Sequence, residues 1–531
     1  MESPTPVGGE TVGFLHGLRV ISPPESALGA VRPLLVFRPM RSSLVLTVVP
    51  LLGLVACGND ATDPPEPPPA ARATWFGDVA PIVAKHCMSC HSEDGIAPFA
   101  LTDYDAVVEN SLRMVDYIEK GLMPPFDARE EPDCTPRFGW VDDPRLTDAE
   151  KNTLHAWIED GYERGTEAAI PPVPSIGLPG VTKTLAPVQG FVTSGTRDQF
   201  VCFVLDPGNS TPNVQWMTGL QVRPGNDLVV HHAVITQIRN EGPTPGAADA
   251  LVAQRGIGIP FPCDDQATPG DFIVNIWTPG NQPMETSAEV AVPILPQAKF
   301  VMQIHYHPAG VTNDIDFTKI DLRISNTWPQ KMYFVTAFGN ADKAPQLEAG
   351  PGDNGTPRFL IPANAADHTE RMSVTIPDLG GVQELQLFSA NPHMHLIGTH
   401  ISSKVVRPAA RGTQPKEECL ANGGWNFDWQ RTYIYDAPIA ELPTLSPGDR
   451  IEVSCRWDNT LANPFVQRML HDANLPMMPI DVALGEQTTN EMCLEIFGVL
   501  LDAPARPPAA RLQASALQIP DLGAIPQLFR D

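Results

Sequence analysis

The chain has 531 residues, of which 42% are hydrophobic and 18% charged. That length and balance suit two to four globular domains and exclude a wholly disordered chain. A net charge of −26 repels phosphate backbones, so no nucleic acid is expected as a partner. The 57 prolines, about twice the usual frequency, favour loop-rich β architecture over long helices.

Residues 1–39 read as an upstream extension. Met40-Arg41 then opens a segment 40–57 in which a short basic stretch precedes the apolar run Ser42 to Ala56 and the sequence Leu54-Val55-Ala56-Cys57. This resembles a bacterial lipoprotein signal with its lipobox, Cys57 being the lipidation site. The run is shorter than the about 20 residues that span a bilayer, and the competing reading is a buried apolar segment of a folded domain. The expectation is an exported protein facing the periplasm or the cell surface, held to the membrane only by its lipid anchor. Residues 58–72 follow as a tether, with five prolines between Asp60 and Arg72.

Residues 73–166 read as a small all-α haem domain. Cys87-Met88-Ser89-Cys90-His91 is the C-x-x-C-H pattern of c-type haem attachment, in which two thiols bind the haem covalently and the histidine sits under the iron. An apolar, helix-compatible stretch, Phe76 to Lys85, precedes it. Downstream, Gly121-Leu122-Met123-Pro124-Pro125 offers Met123 as the axial thioether, with Met114 as the alternative and a core role as the competing reading for either. Thr147-x-x-Glu150 is a capping box, and Leu154, Trp157 and Ile158 follow at helical spacing. The segment resembles the C-terminal helix of a small cytochrome c, implying one covalently bound haem c.

Ile170-Pro171-Pro172-Val173-Pro174 marks a linker, 167–184. Beyond it, alternating runs such as Leu228 to Ile235, Lys299 to Tyr306 and Ile451 to Trp457 read as strands of a sandwich. This part carries His231-His232, His305-Tyr306-His307, His393-Met394-His395, and Met492 within Asn490-Glu491-Met492-Cys493. Imidazoles plus a thioether suit copper, which cycles between a harder and a softer oxidation state. On a strand, alternate residues share a face, so His393 and His395 project together, as do His305 and His307. The adjacent His231 and His232 reach one metal only through a bulge or a strand end. Of nine cysteines, six remain after Cys57, Cys87 and Cys90 are set aside. They are Cys134, Cys202, Cys263, Cys419, Cys455 and Cys493, and they permit three disulfides in any of several pairings.

The four motifs, in this order, resemble the type II copper, ascorbate-dependent monooxygenases, the family of peptidylglycine α-hydroxylating monooxygenase and dopamine β-monooxygenase. The resemblance covers roughly residues 185–505. It implies two jelly-roll-like antiparallel β-sandwich domains, 185–345 and 346–505, with a tail at 506–531. It also implies two mononuclear coppers: an electron-transfer copper on His231, His232 and His305, and a catalytic copper on His393, His395 and Met492. His307 is an extra histidine, either behind the ligands or facing solvent, and His400 is unassigned and expected to be exposed. The resemblance further implies a Cys455–Cys493 disulfide. Cys202 with Cys263 and, by elimination, Cys134 with Cys419 is one pairing for the remaining four, which the sequence leaves open.

The implied reaction is hydroxylation of a C–H bond of a small organic substrate, with one atom of dioxygen entering product and the other leaving as water. A fused haem implies electrons from a periplasmic donor, passed from haem to the His231, His232 and His305 copper and on to the catalytic copper, in place of ascorbate or a similar reductant. Three positions depart from the peptide-hydroxylating members. Asn391 stands where they hold an arginine that binds the substrate carboxylate, and Leu494 and Ile496 stand where they have an asparagine and a tyrosine. A carboxylate needs a charged or well-donating clamp, so peptides ending in glycine are not the expected substrate. The competing readings are a non-catalytic copper and haem electron-transfer lipoprotein, and a peroxidase-like haem enzyme.

Overall fold

The computed structural model describes residues 72–505, apart from 94–96, 175–176, 196–197, 242–243, 264–268, 280, 308–314, 351–352 and 379–381. The upstream extension, the lipoprotein signal with Cys57, the tether up to residue 71 and the tail 506–531 lie outside the described residues. Among the described residues, no helix is long and apolar enough to cross a membrane.

Three helices open the described chain. A π-helical turn, Trp75–Val79, capped by the Thr74 hydroxyl, runs into α1 (Ala80–His86). The Asp103 carboxylate caps α2 (Tyr104–Glu119). At α3 (Asp148–Glu159) both arms of the expected capping box, Thr147 and Glu150, are present. The helices bury a core of their own, in which Trp75, Val79, Leu154 and Trp157 meet Met114 of α2. Met123, just beyond α2, remains 38% exposed.

The rest is mainly β, in several antiparallel sheets. The strands that matter below are β1 (Lys183–Leu185), β2 (Gln199–Leu205), β3 (Gln215–Arg223), β4 (Val230–Ile238), β5 (Phe272–Trp277), β6 (Val290–Ile294), β7 (Lys299–Tyr306), β8 (Lys319–Ser325) and β9 (Lys331–Gly339). They continue with β10 (His368–Thr375), β11 (Leu385–His393), β12 (Gly398–Val406), β13 (Glu417–Gly424), β14 (Tyr433–Ile434), β15 (Arg450–Trp457) and β16 (Leu494–Asp502). The three expected strands appear as β4, β7 and β15. In β15 alternate residues are buried, Ile451, Val453, Cys455 and Trp457, as a pleated strand with one face on the core requires.

A long sheet has the order β1-β8-β3-β6-β9-β16-β11-β14. β2, β7, β4 and β5 lie side by side in a second sheet. A third has the order β10-β15-β12-β13. The long sheet passes through both expected copper domains: β6 and β9 pair in parallel at Val290–Lys331, and β9 pairs in turn with β16. β9 falls within the expected first copper domain, yet it pairs along its whole length with β16. By hydrogen bonding it belongs to the second.

A further departure concerns residues 126–141, placed within the haem domain by the sequence. Phe126, Ala128 and Trp140 are buried in the main β core, not in the helical one. Arg129 N–H donates to Asn422 O (2.8 Å), Gly424 N–H to Asp127 O (3.0 Å) and Val141 N–H to Ile434 O (2.8 Å). Trp140 stacks on Tyr435 at 4.9 Å. A disulfide, Cys134–Cys419, seals the contact. Cys202–Cys263 and Cys455–Cys493 complete the set, the latter being the pair that the resemblance implies.

The Cys134–Cys419 bridge closes 285 residues of chain, so its loss frees a large denatured ensemble. Replacing both cysteines by serine is expected to lower stability by about 2–4 kcal/mol and to expose residues 126–141 to protease. Unchanged melting and digestion would show that packing alone holds this strap.

Candidate metal centre

The first histidine group is made by one irregularity in strand pairing. Along β4 and β7 the register runs regularly from Lys299–Ile238 to His305–His232, and then Tyr306 pairs with Val230. His231 is the extra residue of a bulge, which turns its side chain to the side that His232 and His305 share. The three Nδ1 atoms are 3.1 Å (His231 to His232), 3.3 Å (His231 to His305) and 3.4 Å (His305 to His232) apart. Metal–nitrogen bonds of about 2.0 Å give tetrahedral edges of about 3.3 Å, so the triangle is the right size for one ion.

Their surroundings pack against the rings and keep His231 and His232 neutral. Phe200 stacks on His305 at 4.4 Å, and Phe427, from the other β half, stacks on His231 at 4.5 Å. Burial, then the neighbouring imidazoles, push the pKa of His231 and His232 well below the ordinary value. Neutral imidazoles offer the lone pairs that a metal needs.

Asp198, which sequence reasoning missed, stands behind this group. Its Oδ2 is 3.4 Å from His305 Nε2 and accepts from the Thr488 N–H (2.9 Å) and hydroxyl (2.8 Å). Its Oδ1 is 2.6 Å from His307 Nδ1. Burial alone would raise its pKa, but His305, His307 and the Thr488 amide outweigh burial and hold the carboxyl far below its usual range. His307 lies between Asp198 and Asp472, whose Oδ2 is 3.6 Å away. It thus sits behind His305, one of the two places the sequence left open for it. No sequence signal marks Asp198, because its partners lie 107 to 290 residues away.

His393 ends β11 and His395 lies just past it. Their rings are 5.5 Å apart and perpendicular. His393 Nδ1 is 3.0 Å from Gln430 Oε1, and His395 Nδ1 is 3.1 Å from Asn490 O. Both acceptors are carbonyl oxygens, so each Nδ1 carries the proton and each Nε2 keeps its lone pair, the arrangement typical of ligating histidines. Burial lowers the pKa of His393 to about 4 and that of His395 to about 3.

Glu491 ties this pair to Met492. Its buried carboxylate accepts from the backbone N–H of His395 (2.9 Å), Ile397 (2.8 Å) and Met492 (3.3 Å) and from Trp457 Nε1 (2.9 Å). Met492 is itself buried, and the Cys455–Cys493 bridge braces the next residue. The two groups face each other closely. His232 and His393 are 6.2 Å apart, ring to ring.

Of the other residues singled out, His400 is a correction. Its side chain is only 14% exposed, with Nε2 3.5 Å from Glu131 Oε2. Asn391 Nδ2 donates to Thr432 Oγ1 (2.9 Å), and across the sheet Asn391 pairs with Ile496 and His393 with Leu494. At the C-x-x-C-H motif, Cys87 and Cys90 are unpaired thiols in one turn, where His91 N–H donates to Cys87 O (2.9 Å). Burial pushes the Cys87 thiol up to about 12. His91 Nδ1 is 2.9 Å from Phe99 O, which leaves Nε2 free.

No protein-family model matches the sequence, and no curated protein matches it. Among solved structures, the chain is similar to the infectious bursal disease virus Gx strain structure at 9% identity, covering 62% of this chain and 74% of that one with a TM-score of 0.17. A VP2 subviral particle of the same virus matches at 10% identity, over 63% and 75%, also with a TM-score of 0.17. Likenesses this slight carry no argument about fold or function.

Asp198→Asn keeps the shape but removes the charge behind His305. Metal affinity of the three-histidine group is expected to fall about 10–100-fold in a chelator competition titration. Unchanged affinity would limit Asp198 to a structural part.

Proposed function

We propose that the protein is a copper-dependent monooxygenase that hydroxylates a C–H bond of a small organic substrate with dioxygen. In this reading it carries two mononuclear coppers on two jelly-roll-like halves and receives electrons through a fused c-type haem. The observation that carries it is the Nδ1 triangle of His231, His232 and His305, with sides of 3.1–3.4 Å. A second pair, His393 and His395, with Nδ1 held by carbonyl oxygens, faces it, and Glu491 links the backbone of His395 to that of Met492. Imidazoles alone on one side and imidazoles with a thioether on the other suit copper in its two oxidation states. Copper bound there would supply one-electron redox chemistry and activation of dioxygen.

The chain's own residues do the positioning. Gln430 and the Asn490 carbonyl fix the tautomers of His393 and His395, and Glu491 keeps Met492 in register with them. Asp198 orients His305, while Phe200 and Phe427 exclude water from the other face of the first group. For the haem, His91 would present Nε2 while Phe99 O holds Nδ1, the supporting hydrogen bond expected of an axial histidine. A cleft of about 640 Å³ lies beside the motif, between Met88, Ser89, Thr102 and the run Ile170–Pro174. Met123 remains the proposed axial thioether. The strap joined through Cys134–Cys419 makes the helical segment and the β core one covalent body. Three disulfides fit an oxidising compartment, in keeping with export and lipid attachment at Cys57.

Substrate-dependent dioxygen uptake by the copper-loaded, reduced protein tests the reading. Met492→Ala is expected to abolish uptake while leaving copper on the three-histidine group. Undiminished hydroxylation by that variant would remove Met492 from the catalytic copper. Cys90→Ser is expected to stop turnover driven by a cytochrome-reducing donor but not turnover driven by a small-molecule reductant. Full turnover with both would separate the haem from the reaction.

A further inference from the structure

A pocket opens between the two β halves, beside the second histidine group. Its floor is one face of β11 and β16, where Ser389, Asn391 and His393 project to the same side after a bulge at Phe388. Asn391 pairs by hydrogen bond with Thr432, and His393 with Gln430. The Asn391 pair is therefore one strand repeat, about 6.7 Å, from the His393 pair. The loop after β5 forms the opposite wall and is fastened to the same segment. Thr432 N–H donates to Asn281 Oδ1 (2.5 Å), and Gln430 N–H to Pro279 O (3.0 Å).

The wall chemistry is specific. Trp277, Tyr333, Val335, Phe388 and Ile496 make it mostly apolar, and among the described residues no charged side chain lines it. Burial pushes the Tyr333 phenol up to about 12, so it too is neutral. Gly498 keeps the floor open: a Cβ there would lie 2.4 Å from Ser389 Oγ and 2.5 Å from the Tyr333 ring. Asn391 is 4% exposed, its Nδ2 is used by Thr432, and its Oδ1 has no partner. A buried carbonyl oxygen without a donor is costly, and a ligand N–H or O–H would satisfy it. The free volume of about 50 Å³ holds a few waters or the end of a short chain.

We propose that this pocket binds a small, neutral, largely apolar molecule through one amide or hydroxyl donor to Asn391 Oδ1, and that it rejects carboxylates. This rests on the monooxygenase reading only in calling that molecule the substrate. The donor anchors the molecule at the end of the pocket one strand repeat from His393, with its apolar remainder among Trp277, Tyr333, Phe388 and Ile496. An anion finds no cation here and meets an acceptor oxygen.

Three probes of one shape test it: propionamide (neutral, with a donor), butanone (neutral, without one) and propionate (anionic). Binding to the metal-free full chain is followed by ligand-detected NMR, so neither copper nor turnover enters. The copper reading is judged separately, by metal binding. Propionamide is expected to bind about tenfold more tightly than butanone, with propionate weakest. Asn391→Leu should erase the preference for propionamide over butanone, and Ile496→Trp, which fills the pocket, should remove binding of all three. Propionate binding as well as propionamide, no binding of any probe, or a preference that survives Asn391→Leu would each overturn the proposal.

Discussion

Everything at the candidate centre depends on one bulge. Regular pairing of β4 with β7 would send His231 and His232 to opposite faces of the sheet. The extra residue at His231 brings both to the face of His305 and sets their Nδ1 atoms within 3.1 Å. The arrangement crowds three imidazole Nδ1 atoms in a buried place; among the described residues His231 Nε2 has no hydrogen-bond partner, and His305 Nε2 faces only Asp198 Oδ2, 3.4 Å away. A shared cation would resolve that crowding, with each Nδ1 as a ligand and each Nε2 keeping its proton, and with Asp198 facing that of His305.

The same economy holds the two β halves in place. Asp198 belongs to the first half and Thr488 to the second, so the carboxylate that orients His305 also grips the loop leading to Met492. Phe427 of the second half covers His231 of the first. Gln430 bonds both His393 and the loop after β5. Small displacements between the halves would therefore disturb both histidine groups together. The continuous sheet through β6 and β9 resists such displacement, because interrupting it costs buried backbone hydrogen bonds.

Much of this was legible in the residues. Period-two alternation marked β4, β7 and β15, and Thr147 with Glu150 marked the start of α3. A bulge at His231 was one of the two ways, with a strand end, by which adjacent histidines could reach one metal, and the bulge is what is found. What escaped was set by partners distant in sequence. Asp198 looks like any loop aspartate until Thr488 and His307 surround it. Phe126 and Trp140 read as part of the helical segment because their hydrophobicity does not say which core they enter. β9 was placed with the first half because its apolar run fits either sheet, and its full-length pairing with β16 is not visible in the residues alone. His400 was expected to be exposed, and the strap that carries Glu131 covers it.

The central claim is that two groups of side chains each hold one copper. Titrating the metal-free protein with Cu(II) while recording its paramagnetic resonance spectrum tests that claim most directly. Two equivalents per chain should bind with distinct mononuclear signals, and His232→Ala should remove only one. Uptake of a single equivalent, or a His232→Ala spectrum unchanged from the parent, would contradict the account.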